Sequence, residues 1–561
     1  MWSRIAAYIP DWTIFVQAGL TLLVPIVIYA LHRRLRSIIT NGHHGRSGDG
    51  NVGATSVDDP PTTRESFDPP LSGGYEADLK SVKQAIGGND DVHFREYEIA
   101  EFGARATLVY IDGMQEEQLI DTHVMQVLMP SAASEAEQHA KPLPKGGLAS
   151  YLKQKMLPVT EMTEVTGTRS LNEAILAGYT ALLVEGMAHA LLVSAPHGKT
   201  RSITEPTSEA LLRGPRLGFT EELSENTAML RRQGRTEQME IKKYVVGNVI
   251  KKDLAVVYMK NIVNPDLLKE VEKRVGQIDL DYIAESGYVE QLIEDDMLSP
   301  FQQAQNTERP DRVMSSLMEG RIALLLDGTP FALIVPVTFS MLLQSPEDYY
   351  ERWMAGSLLR MLRFIAAFMS LMIPSMYISF ISFHPGLIPT ELAITIIEAR
   401  HRVPFPSFIE ILILEISIEI LREAGVRLPR PIGSAMGIVG GLIIGEAAVQ
   451  AGIVSPFLVI VVSVTAIASF SIPMYSAGIT LRMLRFVGMF FAAALGIFGT
   501  ILFFLLICSH LTKLESFGVP YVTPISPIRI RDWKDLFVRA PLTLMRRRPE
   551  MLKTMRKQRR S

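Results

Sequence analysis

The chain changes character along its length. From residue 77 to about 350, apolar and polar positions alternate in short runs; after Arg363, long apolar runs take over. In the first part the apolar period switches between two and 3.6, which predicts strands and helices in turn. Val92–Ile99 and Ala104–Ile111 predict strands joined by a short turn, and Gln115–Leu128 predicts an amphipathic helix.

The same succession then recurs. TLVYIDGMQEEQL (107–119) aligns with AVVYMKNIVNPDL (255–267), and AGYTALLVEGMAHALLV (177–193) aligns with EGRIALLLDGTPFALIV (319–335). In the second pair Gly178, Ala181, Leu182, Leu183, Gly186, Ala190, Leu191 and Val193 meet identical residues. Both members read strand, acidic-Gly turn, strand: Glu185-Gly186 in one and Asp327-Gly328 in the other. An Asp-Gly pair between apolar runs signals a tight hairpin, since both turn positions tolerate positive φ. We therefore expect a duplicated α/β unit, with subdomains at 77–205 and 241–350. The connector between them (206–240) holds GPRLGFTEELSENTAMLRR. Its Arg216, Glu221, Arg231 and Arg232 are candidate functional residues, either gripping an anion beside the Gly-rich turn or pairing with acids across the subdomain contact.

Four later runs are long enough for membrane spans: Phe364–Phe383, Gly433–Val454, Phe457–Pro473 and Phe486–Ser509. We expect a multi-span helical bundle over 351–511. Ser455-Pro456 leaves almost no loop between the second and third runs, which predicts a tight helical hairpin. Gly433, Gly437, Gly441 and Gly445 recur every four residues and form one stripe, the pattern that lets helix backbones approach closely in lipid. Met436, Gly440 and Ile444 flank that stripe and Glu446 ends it. These eight residues are the candidates for a pore-lining or helix-packing face. Glu410, Glu415 and Glu419 lie within the otherwise apolar stretch 407–425. Glu415 and Glu419 share a face, while Glu410 lies about 140° away at about 100° per residue. Carboxylates at membrane depth face a wet cavity or a partner charge. Two readings stand: a cation pathway, or an interfacial helix whose acids face water.

An earlier apolar run, Thr13–Leu31, is followed directly by His32, Arg33, Arg34 and Arg36. Charge after the apolar core is the reverse of a cleavable signal, so 1–36 is expected to be a membrane anchor, or else a segment lying on the surface. Residues 37–76 predict a flexible tether. Arg360 and Arg363 before the first long run place its start, like the end of the anchor, on the cytoplasmic side. The final segment, 512–561, carries Arg546, Arg547, Arg548, Lys553, Arg556, Lys557, Arg559 and Arg560 against Glu550 after residue 545. It reads as a tail on anionic lipid headgroups or as a solvated basic end. The number of crossings stays open, with an even count preferred because of that tail.

Composition narrows the function. The net charge of −3 gives no global pull toward nucleic acid. Cys508 is the single cysteine, so no intramolecular disulfide or thiolate metal cluster forms. No HExxH, CxxC or P-loop occurs, and neither enzyme chemistry nor a metal or cofactor is expected.

PFPSFIEILILEISIEILREAGVRLPRPIG (404–433) resembles the hallmark stretch of the A subunits of bacterial spore germinant receptors. So do SIPMYSAGITLRMLRF (471–486), TERPD (307–311), EGR (319–321), DGTPF (327–331), EDYYERW (347–353) and GPRLGFTE (214–221). The similarity covers about 80 to 550. Residues 1–75 depart from it, since many members carry a shorter or merely hydrophilic segment there. The stage V sporulation protein AF is a sibling on the same plan, and the motifs do not separate the two. The resemblance implies a place in the spore inner membrane, beside a transporter-like B subunit that senses the nutrient and a lipoprotein C subunit. It also implies a homo-oligomer, embedded in membrane lipids, that opens to release monovalent cations. A secondary transporter working alone is the competing class, although the bundle shows no internal inverted repeat of the kind such transporters often have. A passive membrane-tethered scaffold fits poorly with the polar and glycine positions inside the runs.

Overall fold

The computed structural model describes residues 68–99, 103–114, 152, 162–194, 206, 209, 211–234, 236–427 and 445–559. The expected anchor and most of the tether, the helix expected at Gln115–Leu128, and most of the glycine stripe lie outside them.

The first sheet follows the alternation read from the sequence. Helix α1 (Tyr75–Ile86) leads into β1 (Val92–Ile99) and β2 (Ala104–Ile111), with the expected bounds. Then come β3 (Thr163–Val165), α2 (Thr168–Leu176), β4 (Thr180–Val184) and β5 (Ala190–Ser194). The sheet is antiparallel in the order β1-β2-β4-β5-β3. After α3 (Leu223–Arg232) comes a second set: β6 (Met239–Val246), β7 (Lys252–Met259), α4 (Pro265–Gly276), α5 (Ser286–Ile293), β8 (Gln305–Thr307), α6 (Pro310–Glu319), β9 (Ile322–Leu326) and β10 (Ala332–Val335). Its order is β6-β7-β9-β10-β8, with the same antiparallel pairing. Register agrees as well. Leu108 faces Leu182 in one sheet and Val256 faces Leu324 in the other, at positions the sequence alignment equates.

Both sheets are covered on two faces, which is why their central strands read as unbroken apolar runs. Successive residues point to opposite sides. Val257, Ala323 and Leu325 pack with Leu223 and Leu230 of α3 and with Val313 and Leu317 of α6. Val256, Leu324 and Leu326 pack with Val271 and Val275 of α4 and Val289 of α5. Local signals set the helix ends. Asn264 caps α4 by accepting from the Asp266 amide at 3.1 Å, ahead of Pro265 at the first position. Gly320 closes α6 at φ 102°. The two hairpins form, but as longer loops over 185–189 and 327–331 instead of tight acidic-Gly turns. Only Gly186 and Gly328 take positive φ, at 85° and 82°.

The remaining chain builds a helical bundle from α7 (Trp353–Ser382), α8 (Thr390–Arg400), α9 (Ser407–Arg427), α10 (Pro456–Phe470) and α11 (Tyr475–Lys513). Among the described residues, α7 and α11 are long and apolar enough to cross a membrane; α10 is a shorter apolar helix. The expected hairpin at Ser455-Pro456 is present in its described half. The stretch 445–450 is helical, Ser455 caps α10 through the Leu458 amide, and Pro456 takes the first position.

The apolar run 486–509, expected as one span, is not one rod. Gly496 takes φ 61° and ψ −139° within α11, and the helix doubles back there. The Phe491 and Phe503 rings lie 5.7 Å apart, whereas an unbroken helix would separate those residues by about 18 Å. Leu481, Phe503 and Ile507 consequently share one core cluster. Both ends of α11 return to the second sheet domain: Thr480 Oγ1 donates to the Pro300 carbonyl at 2.7 Å, and His510 Nε2 meets Ser299 Oγ at 2.8 Å.

The basic tail is likewise not a loose end. After a small ribbon of β11 (Glu515–Ser516) and β12 (Val519–Pro520), it runs back along the second sheet domain. Arg548 Nε donates to the Met318 carbonyl at 2.7 Å, Arg559 Nη2 pairs with Glu319 at 3.0 Å, and the Met555 amide donates to the Ile262 carbonyl at 3.2 Å. The chain therefore enters and leaves the bundle on one face.

Gly496 supports the reversal through a conformation that costs other residues about 1–3 kcal/mol, and a Cβ there would meet Phe383 Cγ at 2.9 Å. Gly496→Ala is expected to lower the thermal unfolding midpoint of the purified full chain by several degrees. Gly425→Ala, with open space around its Cβ position, should leave it unchanged or slightly raised. Equal midpoints for the two variants would contradict the reversal.

Candidate functional site: a charged junction and paired charges in the bundle

The connector pins the two sheets together. Arg231, at the end of α3, is buried, and its guanidinium reaches both Asp91 carboxylate oxygens at 2.8 Å, Asn89 Oδ1 at 2.9 Å and the Met239 carbonyl at 3.1 Å. Asp91 and Asn89 belong to the first unit and Met239 to the second, so this arginine pairs across the subdomain contact. The other end of α3 sits on the second unit. There the Leu223 amide donates to Asp327 Oδ1 at 3.1 Å, and the Glu221 carbonyl accepts from the Gly328 amide at 2.7 Å. Arg216, Glu221 and Arg232 are exposed and do not join Arg231 in one cluster.

A second knot ties the sheets to the bundle. Asp348, from the EDYYERW stretch, is buried and accepts from Arg360 Nε at 3.1 Å and Arg363 Nη1 at 2.6 Å on α7. Arg360 Nη1 also meets Asp535 Oδ1 at 2.7 Å, and Asp535 accepts from the Tyr349 hydroxyl at 2.6 Å. The arginines read from the sequence as topology markers thus hold three segments in one place.

The loop 299–303 forms the other half of the junction. Gln302 takes a hydrogen bond from Ser476 on α11, and its carbonyl takes one from Tyr521, both at 2.5 Å. Its Nε2 donates to Glu290 of α5 at 3.0 Å. Burial first, then the neighbouring Glu294 and Glu285 charges, together push the Glu290 carboxyl up to about 8 against the lowering effect of the Gln302 bond. Gln302 did not stand out in the sequence as a candidate, since a glutamine on a loop carries no periodic signal.

Within the bundle Glu410, Glu415 and Glu419 each have an arginine. Glu410 is buried, accepting from Arg400 Nη2 at 2.9 Å and from the Ser455 amide at 3.1 Å. Glu415 is buried 2.9 Å from Arg485 Nη2. Glu419 is less enclosed and is shared by Arg422 at 2.9 Å and Arg482 at 3.2 Å. Helical spacing holds here: Glu415 and Glu419 fall in one cluster and Glu410 in another place. The partners were missed, although Arg482 and Arg485 at i,i+3 match Glu415 and Glu419 at i,i+4 on a facing helix. The cluster holds three arginines against two glutamates, so it is net positive. Of the glycine-stripe candidates, Gly433, Met436, Gly437, Gly440, Gly441 and Ile444 lie outside the described residues. A Cβ on Gly445 would stand 3.5 Å from Val459 of α10. Glu446 is exposed and accepts from Gln450 Nε2 at 3.0 Å.

These features define a class: a two-sheet α/β domain locked by buried arginines to a helical bundle with membrane-length apolar helices. Residues 80–551 match the family described as Bacillus/Clostridium GerA spore germination protein. The chain belongs to that family, the A-type subunits of spore germinant receptors. Spore germination protein GerLA of Bacillus cereus is 40% identical over 484 residues, 86% of this chain and 96% of that protein. Spore germination protein B1 of Bacillus subtilis (strain 168) is 42% identical over 471 residues, 84% and 95% of the two chains. An uncharacterized membrane protein of the same strain, YfkQ, is 40% identical over 485 residues, 86% and 92% of the two chains. Among solved structures, the N-terminal domain of the A subunit of the Bacillus megaterium spore germinant receptor GerK3 is 31% identical and covers 49% of this chain and 99% of that one, at a TM-score of 0.37.

Two outcomes test the geometry. Glu290 keeps its proton to about pH 8 in the folded chain and loses it near the ordinary carboxyl value when unfolded. The folded state therefore binds more protons across that window, and stability falls as pH rises from about 4.5 to about 8. Glu290→Gln should flatten that fall in thermal melts of the full chain; an unchanged slope would exclude Glu290 as its source. In the bundle, Glu415→Leu leaves Arg485 buried without its partner, at a cost of about 3–5 kcal/mol, whereas replacing both partners by leucine should recover most of it. Equal losses in single and double variants, measured by unfolding in nanodiscs, would show that the pair is not coupled.

Proposed function

We propose that this chain is the A subunit of a nutrient-responsive spore germinant receptor and forms an oligomeric channel that releases monovalent cations to trigger germination. The observation that carries the reading is the family match over 80–551, together with relatives at about 40% identity named as spore germination proteins. The partners we infer are a transporter-like B subunit that senses the nutrient and a lipoprotein C subunit. The matching strand order and register of the two sheets support an internal duplication. The return of the chain to one face of the bundle supports an even-span fold in the spore inner membrane, with both sheets on the core side.

Because arginines neutralise Glu410, Glu415 and Glu419, and their largest cluster is net positive, these carboxylates suit holding helices together better than passing cations. We place the pathway along the glycine-bearing stretch 433–446. Spores carrying this receptor as their only one should release potassium within minutes of nutrient addition. Gly437→Leu and Gly441→Leu should change that release while leaving the amount of receptor in the membrane unaltered. Normal release and normal assembly in both variants would defeat the pathway assignment, and release without this chain would defeat the receptor role.

A further inference from the structure

The stretch from Pro524 to Arg546 plays no part in that proposal, and it is unusual in leaving large apolar side chains uncovered. Ile528 is 72% exposed, Ile530 76%, Trp533 43% and Leu542 62%. Exposed Lys534 and Arg531 sit between them, and Arg531 Nη1 also pairs with the solvent-facing Glu550 at 2.9 Å, a contact that leaves its guanidinium largely exposed.

The height of this segment is fixed by its contacts with the base of α7. The Arg539 amide donates to Ser357 Oγ at 3.0 Å, Arg360 Nη1 holds Asp535, and the Phe537 ring packs on Phe364 with centroids 4.8 Å apart. Residues 357–364 are where α7 passes from its last charged turn into its uninterrupted apolar stretch. The outward face of α7 continues the same apolar surface, with Leu358 60% and Ile365 51% exposed. Trp533 is held in place because its Nε1 donates to the Pro524 carbonyl at 3.2 Å.

We propose that residues 528–542 form an interfacial anchor lying on the headgroup layer of the membrane on the side of the sheets, with an apolar strip dipping into it and Arg531 and Lys534 meeting anionic headgroups. This rests on the reading of α7 as a membrane span. Three observations select lipid as the occupant. The strip mixes an aromatic ring with aliphatic side chains and cations, the composition that favours the water–hydrocarbon boundary. It lies at the level where α7 becomes apolar, and it is continuous with the exposed face of α7. The positive charge complements the anionic surface. The arginines at the end of the tail take no part, since Arg548 and Arg559 are committed to the second sheet domain.

The chain has four tryptophans: Trp2, Trp12, Trp353 and Trp533. Two full-length single-tryptophan variants, keeping Trp533 or Trp353 and carrying phenylalanine elsewhere, would be reconstituted in vesicles of phosphatidylcholine and phosphatidylglycerol. Quenching by lipids spin-labelled near the headgroup is compared with quenching by lipids labelled at the acyl-chain end. The anchor predicts that Trp533 is quenched severalfold more by the shallow label. It also predicts that Arg531→Glu with Lys534→Glu reduces this quenching, as does removal of the phosphatidylglycerol. Quenching of Trp353 without quenching of Trp533 would overturn the anchor, leave α7 in the membrane, and mean that a protein partner covers the strip. Quenching of neither would overturn the anchor. Quenching of Trp533 that ignores both the charge reversal and the lipid charge would overturn the role of the two cations.

Discussion

The buried guanidinium of Arg360 is the constraint on which the architecture turns. It sits within the first turns of α7, with Asp348 from the end of the second sheet domain on one side and Asp535 from the returning tail on the other. A charge this enclosed is tolerated only when its partners are held in good geometry. The three segments must therefore meet at one level, where the sheets end and the apolar bundle begins. Arg363 adds a second cation to Asp348. Entry and exit of the chain on a single face follow from this knot.

The same rule repeats on each side of it. Above, Arg231 joins the two sheets through Asp91, so that α3 is shared between them instead of belonging to either. Below, Glu410 and Glu415 are each matched by one arginine, and Glu419 by two. Such pairs add little net stability over well-packed apolar residues, but breaking one partner is costly. They act as register pins: a helix that slid by one turn would strand a charge in an apolar setting. The loop 299–303 is gripped by both limbs of α11, by Tyr521 and by Glu290, and so ties the second sheet domain to the bundle.

The legible parts of the fold were those written in local periodicity. Val92–Ile99 and Ala104–Ile111 were read with their final bounds because strand alternation and the intervening turn are properties of adjacent residues. The likeness of the two segments was visible for the same reason, and Leu108 with Leu182 and Val256 with Leu324 occupy matching pairs in their two sheets. The spacing of Glu410, Glu415 and Glu419 around a helix also sorted them correctly. Their partners were not legible, because Arg482 and Arg485 lie far along the chain. Gly496 was hidden inside a continuous apolar run, since a lone glycine there looks like ordinary helix packing. The tail was misread because its composition is that of a solvated segment, and only contact with Met318 and Glu319 shows otherwise.

By itself, then, the sequence determined the class of the protein: two similar α/β units followed by an apolar bundle, with motifs resembling those of germinant receptor A subunits. Periodicity and motif spacing are short-range properties, and they survive in a one-dimensional string. Only the tertiary structure decided which charges neutralise which, where α11 doubles back, and that the last residues return to the sheets. Those outcomes depend on pairs distant in sequence, and a buried charge selects its partner by distance and enclosure, which exist only once the chain has folded.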